Sequence, residues 1–146
     1  PYGEKFTEPF DLPPDRAYSE TCAAVASIML SWRLLLATGD PRYADLAERT
    51  LFNVVATSPA DDGRSFFYVN TLHQRRRGTP WDPDAVSPRP SSSLRAPWFD
   101  VSCCPMNVAR LLDSLAAYVE TSDCDGIKLH QYAAGCGRVQ ERHARV

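Results

Sequence analysis

The first helical pattern along the chain is apolar on nearly every side. It starts near Ser19 and ends before Gly39, a residue that favours a helix C-terminus. Ser19 and Thr21 are both good N-cap residues, which supports a helix start at this point. A helix that is apolar all round is typical of one packed on every face. The pattern therefore predicts a fully buried helix.

Two further segments carry a single apolar stripe and predict two more helices. One follows Asp40 and Pro41, and the other begins at Pro105 and runs to about Glu120. The stripes consist of Tyr43, Leu46, Ala47, Thr50, Leu51, Val54 and Val55 in the first, and Val108, Leu111, Leu112, Leu115 and Val119 in the second. Pro105 suits the first helical position, where its missing N–H costs nothing.

The remaining segments predict turns and short extended runs. Residues 59–63 and 123–126 are turns, residues 65–70 are a short strand or extended run, and residues 127–132 alternate as a strand. Residues 71–98 are rich in proline and form a loop of a length that is usually functional or disordered. We expect residues 133–146 to be a loose tail.

The fold class that these patterns indicate is mainly α. The chain has only three predicted helices, which are too few to surround one of them that is apolar on all faces. The chain also begins with Pro1 and not Met. We therefore expect a piece of a larger helical protein.

Composition limits the cellular compartments and the classes of partner that fit this chain. The chain has 146 residues and a formal net charge of -2, which gives no reason to expect nucleic acid. No run approaches 18 apolar residues, so we expect no membrane partner. The five cysteines are odd in number, and two are adjacent, which does not fit a secreted disulfide framework. A reducing, cytoplasmic location with reactive or metal-binding thiols fits better.

The main candidate for chemistry is the pair Cys103 and Cys104 directly before Pro105. This position is a helix N-terminus, where free N–H groups and the helix dipole favour negative charge. A thiol there should ionise more readily, and the thiolate is the form that attacks carbon or binds metal.

A second candidate lies at the start of the first predicted helix, where Glu20 and Cys22 are two residues apart. Within a helix they would point to nearly opposite sides, but at a helix start both can face one site. With Cys103 and Cys104 they form a carboxylate and three thiols, a set that suits tetrahedral zinc. The alternative is that Cys22 is a small core residue and Glu20 a helix N-terminal acid.

Other chemistry-bearing residues give weaker signals. Glu4 lies in a loop, where a lone glutamate is usually solvated. The three histidines are scattered without ligand spacing, and the arginine run at residues 75–77 is usually a solvated loop.

Several stretches together resemble glycoside hydrolase family 127, the β-L-arabinofuranosidases. The matching stretches are Gly3-Glu4-Lys5-Phe6, Arg16-Ala17-Tyr18-Ser19-Glu20-Thr21-Cys22, Gly39-Asp40-Pro41-Arg42-Tyr43, Phe66-Phe67-Tyr68-Val69-Asn70 and Cys103-Cys104-Pro105-Met106-Asn107-Val108-Ala109-Arg110. The resemblance covers most of residues 1–132. It implies that residues 1–122 are the C-terminal part of an (α/α)6 barrel and that residues 123–132 open a β-sandwich domain.

The resemblance also implies a role for each matching residue. Cys103 matches a nucleophile held on zinc, and Glu20, Cys22 and Cys104 match the other zinc ligands. Glu4 matches the general acid/base, and Tyr68 matches a tyrosine near the sugar.

The residues and the resemblance together lead to three hypotheses. The first is a zinc-dependent retaining glycoside hydrolase with a cysteine nucleophile, acting on an arabinose-containing oligosaccharide or glycan, with a homodimer of the full-length protein compatible with it. The second is a non-catalytic zinc- or carbohydrate-binding fragment. The third, a thiol hydrolase or redox protein using Cys103, lacks a histidine partner and a Cys-x-x-Cys motif.

Overall fold

The computed structural model describes residues 7–14, 17–73, 86, 94–123 and 126–134. This part of the chain is helix-rich and carries one small antiparallel sheet. Its elements are α1 (Thr21–Thr38), α2 (Arg42–Thr50), α3 (Cys104–Ser114), β1 (Glu120–Asp123) and β2 (Gly126–Leu129). A π-helical turn, Leu51–Val55, continues α2, and a 3-10 turn, Leu115–Tyr118, continues α3.

Helix α1 ends as predicted but is capped differently at its start. Gly39 adopts φ 70° and its N–H bonds to the carbonyl of Leu35, which is the left-handed C-terminal cap that glycine favours. The N-cap residue is Glu20, without a side-chain cap, so the prediction of Ser19 or Thr21 as N-cap is wrong. Thr21 is the first helical residue, and its hydroxyl bonds to the carbonyl of Phe67 instead.

The main core forms where α1 packs on α2 and α3. Its buried members are Ala24, Val25, Ile28, Ala47, Leu51, Val55, Leu111 and Tyr118. Burial of α1 is one-sided in the described part of the chain, because Leu30 and Leu36 are each 58% exposed. The prediction that α1 is buried on every face is therefore not met here. By length and composition alone α1 is apolar enough to cross a membrane, which the sequence reading missed, and core helices pass the same test.

The third predicted helix is followed directly by the sheet. Helix α3 stops at Ser114, and residues 120–123 pair with residues 126–129 in an antiparallel register that sets Glu120 against Leu129. The strand predicted over residues 127–132 is confirmed for residues 127–129, and residues 130–132 lie beyond its end. The predicted helix to about Glu120 is confirmed as far as Tyr118, because the 3-10 turn continues α3, whereas Glu120 itself lies in β1.

The segment at residues 65–70 is extended and joins the start of α1 to the loop before α3. Phe66 pairs with Ala96, and Val69 pairs with Glu20, through isolated antiparallel bridges. These bridges fix the start of α1 beside the segment that leads into α3. They define where the candidate site lies.

Candidate functional site

The side chains of Glu20, Cys22, Cys103 and Cys104 converge on one point between the start of α1 and the start of α3. One ligand atom from each lies within 4.8 Å of the other three. The Cys22 sulfur is 3.0 Å from that of Cys103 and 3.4 Å from that of Cys104, and the Cys103 sulfur is 3.4 Å from Oε1 of Glu20. The cysteines are free thiols. The four residues that the sequence predicted as one ligand set are therefore close in space.

The backbone at the start of α1 explains why Glu20 and Cys22 face the same way. Glu20 is extended, with φ -72° and ψ 140°, and pairs with Val69. The N–H of Thr21 bonds to the carbonyl of Tyr68 at 3.0 Å, and the N–H of Asn70 bonds to the carbonyl of Ser19 at 2.7 Å. Because the helix begins only after Glu20, its side chain is not subject to helical spacing.

The cysteine pair lies at the start of α3, with Cys103 as the N-cap residue and Cys104 as the first helical residue. Phe99 anchors the segment before them, because it is fully buried and its ring contacts those of Phe66 and Tyr68 edge-on at 5.2 and 5.6 Å. Cys104 is 1% exposed, whereas Cys103 and Cys22 are half-buried.

The protein groups alone do not favour ionised thiols at Cys22 and Cys104. Burial raises the pKa of Cys22 to about 12, with a further rise from its contact with Cys103. Burial also raises the pKa of the Cys104 thiol, as do the neighbouring thiols. The prediction that the helix start eases ionisation is wrong for Cys104, because desolvation outweighs the dipole. A bound cation would reverse this balance.

The donor set fits zinc in chemistry and in spacing. Zinc takes thiolate sulfur at about 2.3 Å and carboxylate oxygen at about 2.0–2.2 Å in tetrahedral sites, which places ligand sulfurs about 3.8 Å apart. The sulfur–sulfur distances among the three cysteines are 3.0, 3.4 and 4.0 Å. They bracket the tetrahedral value, so small side-chain movements suffice.

Two tyrosine hydroxyls contact the four-residue cluster. Tyr68, predicted from resemblance to lie near a sugar, is 1% exposed, and its hydroxyl is 3.2 Å from the Cys103 sulfur. Tyr18 donates to Oε2 of Glu20 at 2.7 Å, which leaves Oε1 directed towards Cys103. The sequence reading missed Tyr18, although its place two residues before Glu20 on extended backbone is a usable signal.

An amide on α3 also contacts the cluster, and the sequence reading missed it. Nδ2 of Asn107 donates to the Cys22 sulfur at 3.2 Å. Asn107 lies four residues after Cys103, so both face the same side of α3. That spacing was the signal available in the sequence.

The other predicted site residue, Glu4, lies outside the described residues, as do residues 75–77. His130 is described and lies on the sheet hairpin, where its Nε2 contacts the Thr121 hydroxyl at 2.8 Å. An apolar cavity of about 280 Å³ lies beside Cys104, lined by Ser58, Pro59, Gly63, Ser65, Phe66, Cys104, Pro105, Val108, Ala109 and Leu112. Its apolar lining does not suit a sugar.

Comparison with known proteins identifies relatives of this chain. Residues 2–117 match the family model described as "Beta-L-arabinofuranosidase, GH127 catalytic domain". The chain is 38% identical over 134 residues to the non-reducing end β-L-arabinofuranosidase of Bifidobacterium longum subsp. longum. That match covers 90% of this chain and 20% of the relative.

Solved structures show the same relationship. A GH127 β-arabinofuranosidase superposes with a TM-score of 0.73 at 37% identity, over 89% of this chain and 18% of that one. A GH127 β-L-arabinofuranosidase from Geobacillus stearothermophilus T6 superposes with a TM-score of 0.70 at 37% identity, over 87% of this chain and 19% of that one. The chain thus spans about a fifth of the length of these relatives.

Proposed function

Because this chain belongs to the GH127 β-L-arabinofuranosidase catalytic-domain family, we propose that it is part of a zinc-dependent retaining glycoside hydrolase that removes β-L-arabinofuranosyl residues from glycans. The observation that carries this proposal is the convergence of one carboxylate and three thiols within 4.8 Å. Cys22, Cys104, Glu20 and Cys103 would hold the zinc ion. Its charge would keep the sulfurs in the thiolate form at neutral pH.

The proposed reaction divides the work between Cys103 and Glu4. A retaining glycosidase needs one group that protonates the leaving oxygen and a second that attacks the anomeric carbon from the opposite face. The Cys103 sulfur forms the bond to the anomeric carbon as the glycosidic C–O bond breaks, and Glu4 gives its proton to the departing oxygen. Glu4 then takes a proton from water, whose oxygen replaces sulfur on the sugar.

Burial supports Cys103 as the attacking thiol among the cysteine pair. Cys104 is 1% exposed, so a sugar has no access to its sulfur. Cys103 is half-buried, and the hydroxyl of Tyr68 lies 3.2 Å from its sulfur. A hydroxyl at that distance orients the Cys103 sulfur.

The proposal includes the surroundings of the site. We assign residues 1–122 to the C-terminal part of an (α/α)6 barrel and residues 123–132 to the start of a β-sandwich domain. The tail predicted at residues 133–146 lies outside the described residues from residue 135 on. The expected substrate is an arabinose-containing oligosaccharide or glycan, and the free thiols favour the cytoplasm. A homodimer of the full-length protein is compatible with these assignments.

A second candidate function is a zinc- or carbohydrate-binding fragment without catalysis. The observation that favours it is the span of the chain, about a fifth of its relatives, while the four candidate ligands all lie within it. Hydrolysis by the full-length protein separates the two functions.

The deciding experiment is hydrolysis of a chromogenic β-L-arabinofuranoside by the full-length protein that carries this sequence. We expect Cys103→Ala and Glu4→Gln each to reduce kcat by about 10³-fold or more, since each removes a reacting group. Tyr43→Phe, on α2, serves as the control and should retain activity. Near-normal turnover by Cys103→Ala would show that the nucleophile is assigned wrongly.

A third hypothesis, a redox function of Cys103, has a separate test. We expect one zinc ion per chain, with Cys22→Ser weakening its retention. Absence of zinc, together with a reversible disulfide between Cys22 and Cys103, would support the redox hypothesis.

A further inference from the structure

Asn107 has a polar contact for every part of its side-chain amide. Its Nδ2 donates to the Cys22 sulfur and to the carbonyl oxygen of Cys103, both at 3.2 Å. Its Oδ1 accepts a hydrogen bond from the Arg110 guanidinium at 2.7 Å. One amide therefore joins the start of α1, the start of α3 and a cation on the next turn of α3.

The partners fix which way round the amide lies. A guanidinium only donates hydrogen bonds and a carbonyl oxygen only accepts them. Arg110 therefore requires the amide oxygen on its side, and the Cys103 carbonyl requires the amide nitrogen on the other side. The atom that faces Cys22 is consequently an N–H donor. A donor at 3.2 Å favours sulfur as a thiolate acceptor over sulfur as a thiol.

We propose that Asn107, oriented by Arg110, is a positioning residue that fixes the Cys22 sulfur as a permanent metal ligand. This inference rests on the metal centre proposed above. Groups that hydrogen-bond metal ligands orient them and tune the metal, and their loss costs roughly 10–100-fold in metal affinity. Asn107 acts through Cys22 and is not itself a ligand in this proposal.

The same contact separates the roles of the two half-buried thiols. The Cys22 sulfur accepts an N–H bond from Asn107, which restrains the position of this sulfur. The Cys103 sulfur instead has the hydroxyl of Tyr68 at 3.2 Å. Asn107 touches Cys103 only at its backbone carbonyl, so the amide restrains Cys22 without restraining the sulfur that is proposed to react.

Metal affinity of the full chain, measured with zinc against a chromogenic chelator, tests the proposal. Asn107→Asp keeps the size and the contact with Arg110 but turns a charged acceptor towards Cys22, and Asn107→Leu removes both donors. Arg110→Met changes an exposed side chain and frees the amide oxygen. We expect zinc affinity to fall about 10–100-fold in both Asn107 variants and by less in Arg110→Met.

Asn53 provides the matched control. Its Nδ2 donates to the carbonyl of Arg49 four residues earlier, at 2.8 Å on an exposed surface, as Asn107 does to Cys103. Asn53→Asp and Asn53→Leu therefore lose the same local helix contact without touching a thiol. Their zinc affinity should equal that of the wild type.

The cobalt-substituted protein gives a readout that a purely structural role would not move. An N–H bond lowers the energy of sulfur lone pairs, so its removal should shift the thiolate-to-cobalt absorption band to longer wavelength. We expect this shift in the Asn107 variants and in Arg110→Met, and none in the Asn53 variants. Should an Asn107 variant fail to fold, Arg110→Met still gives both readouts.

Each outcome of the zinc and cobalt measurements supports or overturns the proposed role of Asn107. Zinc affinity within about twofold of the wild type, or an unshifted cobalt band, in the variants of Asn107 and Arg110 would overturn the inference. If the wild type takes up no zinc, the metal centre and this inference both fail. If zinc affinity depends on Asn107 but the full-length protein that carries this sequence hydrolyses no arabinofuranoside, the inference stands and the proposed activity fails.

Discussion

At the scale of single residues, the hydroxyl of Thr21 holds together the backbone that presents the site. Thr21 has no exposed surface, and its Oγ1 donates to the carbonyl of Phe67 at 2.8 Å. It accepts from Nδ2 of Asn70 at 3.0 Å and lies 3.1 Å from the Ser58 hydroxyl. Because Thr21 lies between Glu20 and Cys22, this network determines where both side chains start.

Replacing Thr21 with valine tests the network with almost no change in shape. Valine removes the hydrogen bonds of the Thr21 hydroxyl to the Phe67 carbonyl and the Asn70 amide, together with its contact with the Ser58 hydroxyl, at a total cost of about 1–3 kcal/mol. Denaturant unfolding of Thr21→Val should show that loss. Thr57→Val is the control, because its hydroxyl bonds to the carbonyl of Asn53 on an exposed surface, and its effect should stay within about 0.5 kcal/mol. Equal effects of the two substitutions would contradict a special role of the buried network.

The sequence predicted the cluster of Glu20, Cys22, Cys103 and Cys104 because each pair lies at a helix start that local patterns reveal. Asn107 and Tyr18 were missed for a different reason. Spacing places Tyr18 on the side of Glu20 and Asn107 on the side of Cys103, but the contact of Asn107 with Cys22 depends on how closely α1 and α3 approach each other, which no local pattern encodes. The pKa shift of Cys22 was missed likewise, because burial depends on tertiary packing.

At the scale of elements, the hairpin of β1 and β2 is fixed to α1 through His130. The ring of His130 meets that of Trp32 edge-on at 5.6 Å, and its backbone N–H bonds to the carbonyl of Val119 at 2.8 Å. The apolar stripe of α3 predicted a helix to about Glu120, and helical turns reach Tyr118, but Glu120 is already part of β1. Pairing with β2, which lies later in the sequence, decides the state of residues 120–123. Such pairing is nonlocal, so helical spacing could not reveal it.

The packing of the hairpin on α1 through His130 should weaken in acid. Burial, with a smaller effect of Lys128, lowers the pKa of His130 below its ordinary 6.5. The unfolded chain therefore takes up a proton near pH 6.5 while folded His130 stays neutral. The stabilisation is fully present above pH 6.5 and is lost as pH falls through the lower folded-state value.

Thermal unfolding between pH 8 and pH 5 measures the effect. The melting temperature of the wild type should fall further than that of His130→Gln, which keeps a donor for Thr121 but does not titrate. The two proteins differ in one group only, so other titrations cancel. Parallel pH profiles would show that His130 does not couple the hairpin to pH.

At the scale of the whole molecule, the chain exposes apolar surface on both site-bearing helices. Leu30 and Leu36 on α1 are each 58% exposed, and Met106 and Leu112 on α3 are 74% and 55% exposed. The sequence predicted that α1 needs cover on all faces, and the described residues supply it on one. The relatives are about five times longer than this chain. We therefore expect further parts of a longer protein to cover these faces.

Because these faces lack cover, we expect the 146-residue chain to bind metal without catalysing hydrolysis. All four candidate ligands lie within it and need no other segment, so we expect it to bind one zinc ion. Enclosing a sugar on both faces needs more surface than the start of two helices supplies, because ordered positioning accounts for much of the rate. We therefore expect the isolated chain to show no turnover of a chromogenic β-L-arabinofuranoside, while the full-length protein hydrolyses it. Zinc content and turnover measured on both proteins test this, and turnover by the 146-residue chain would refute it.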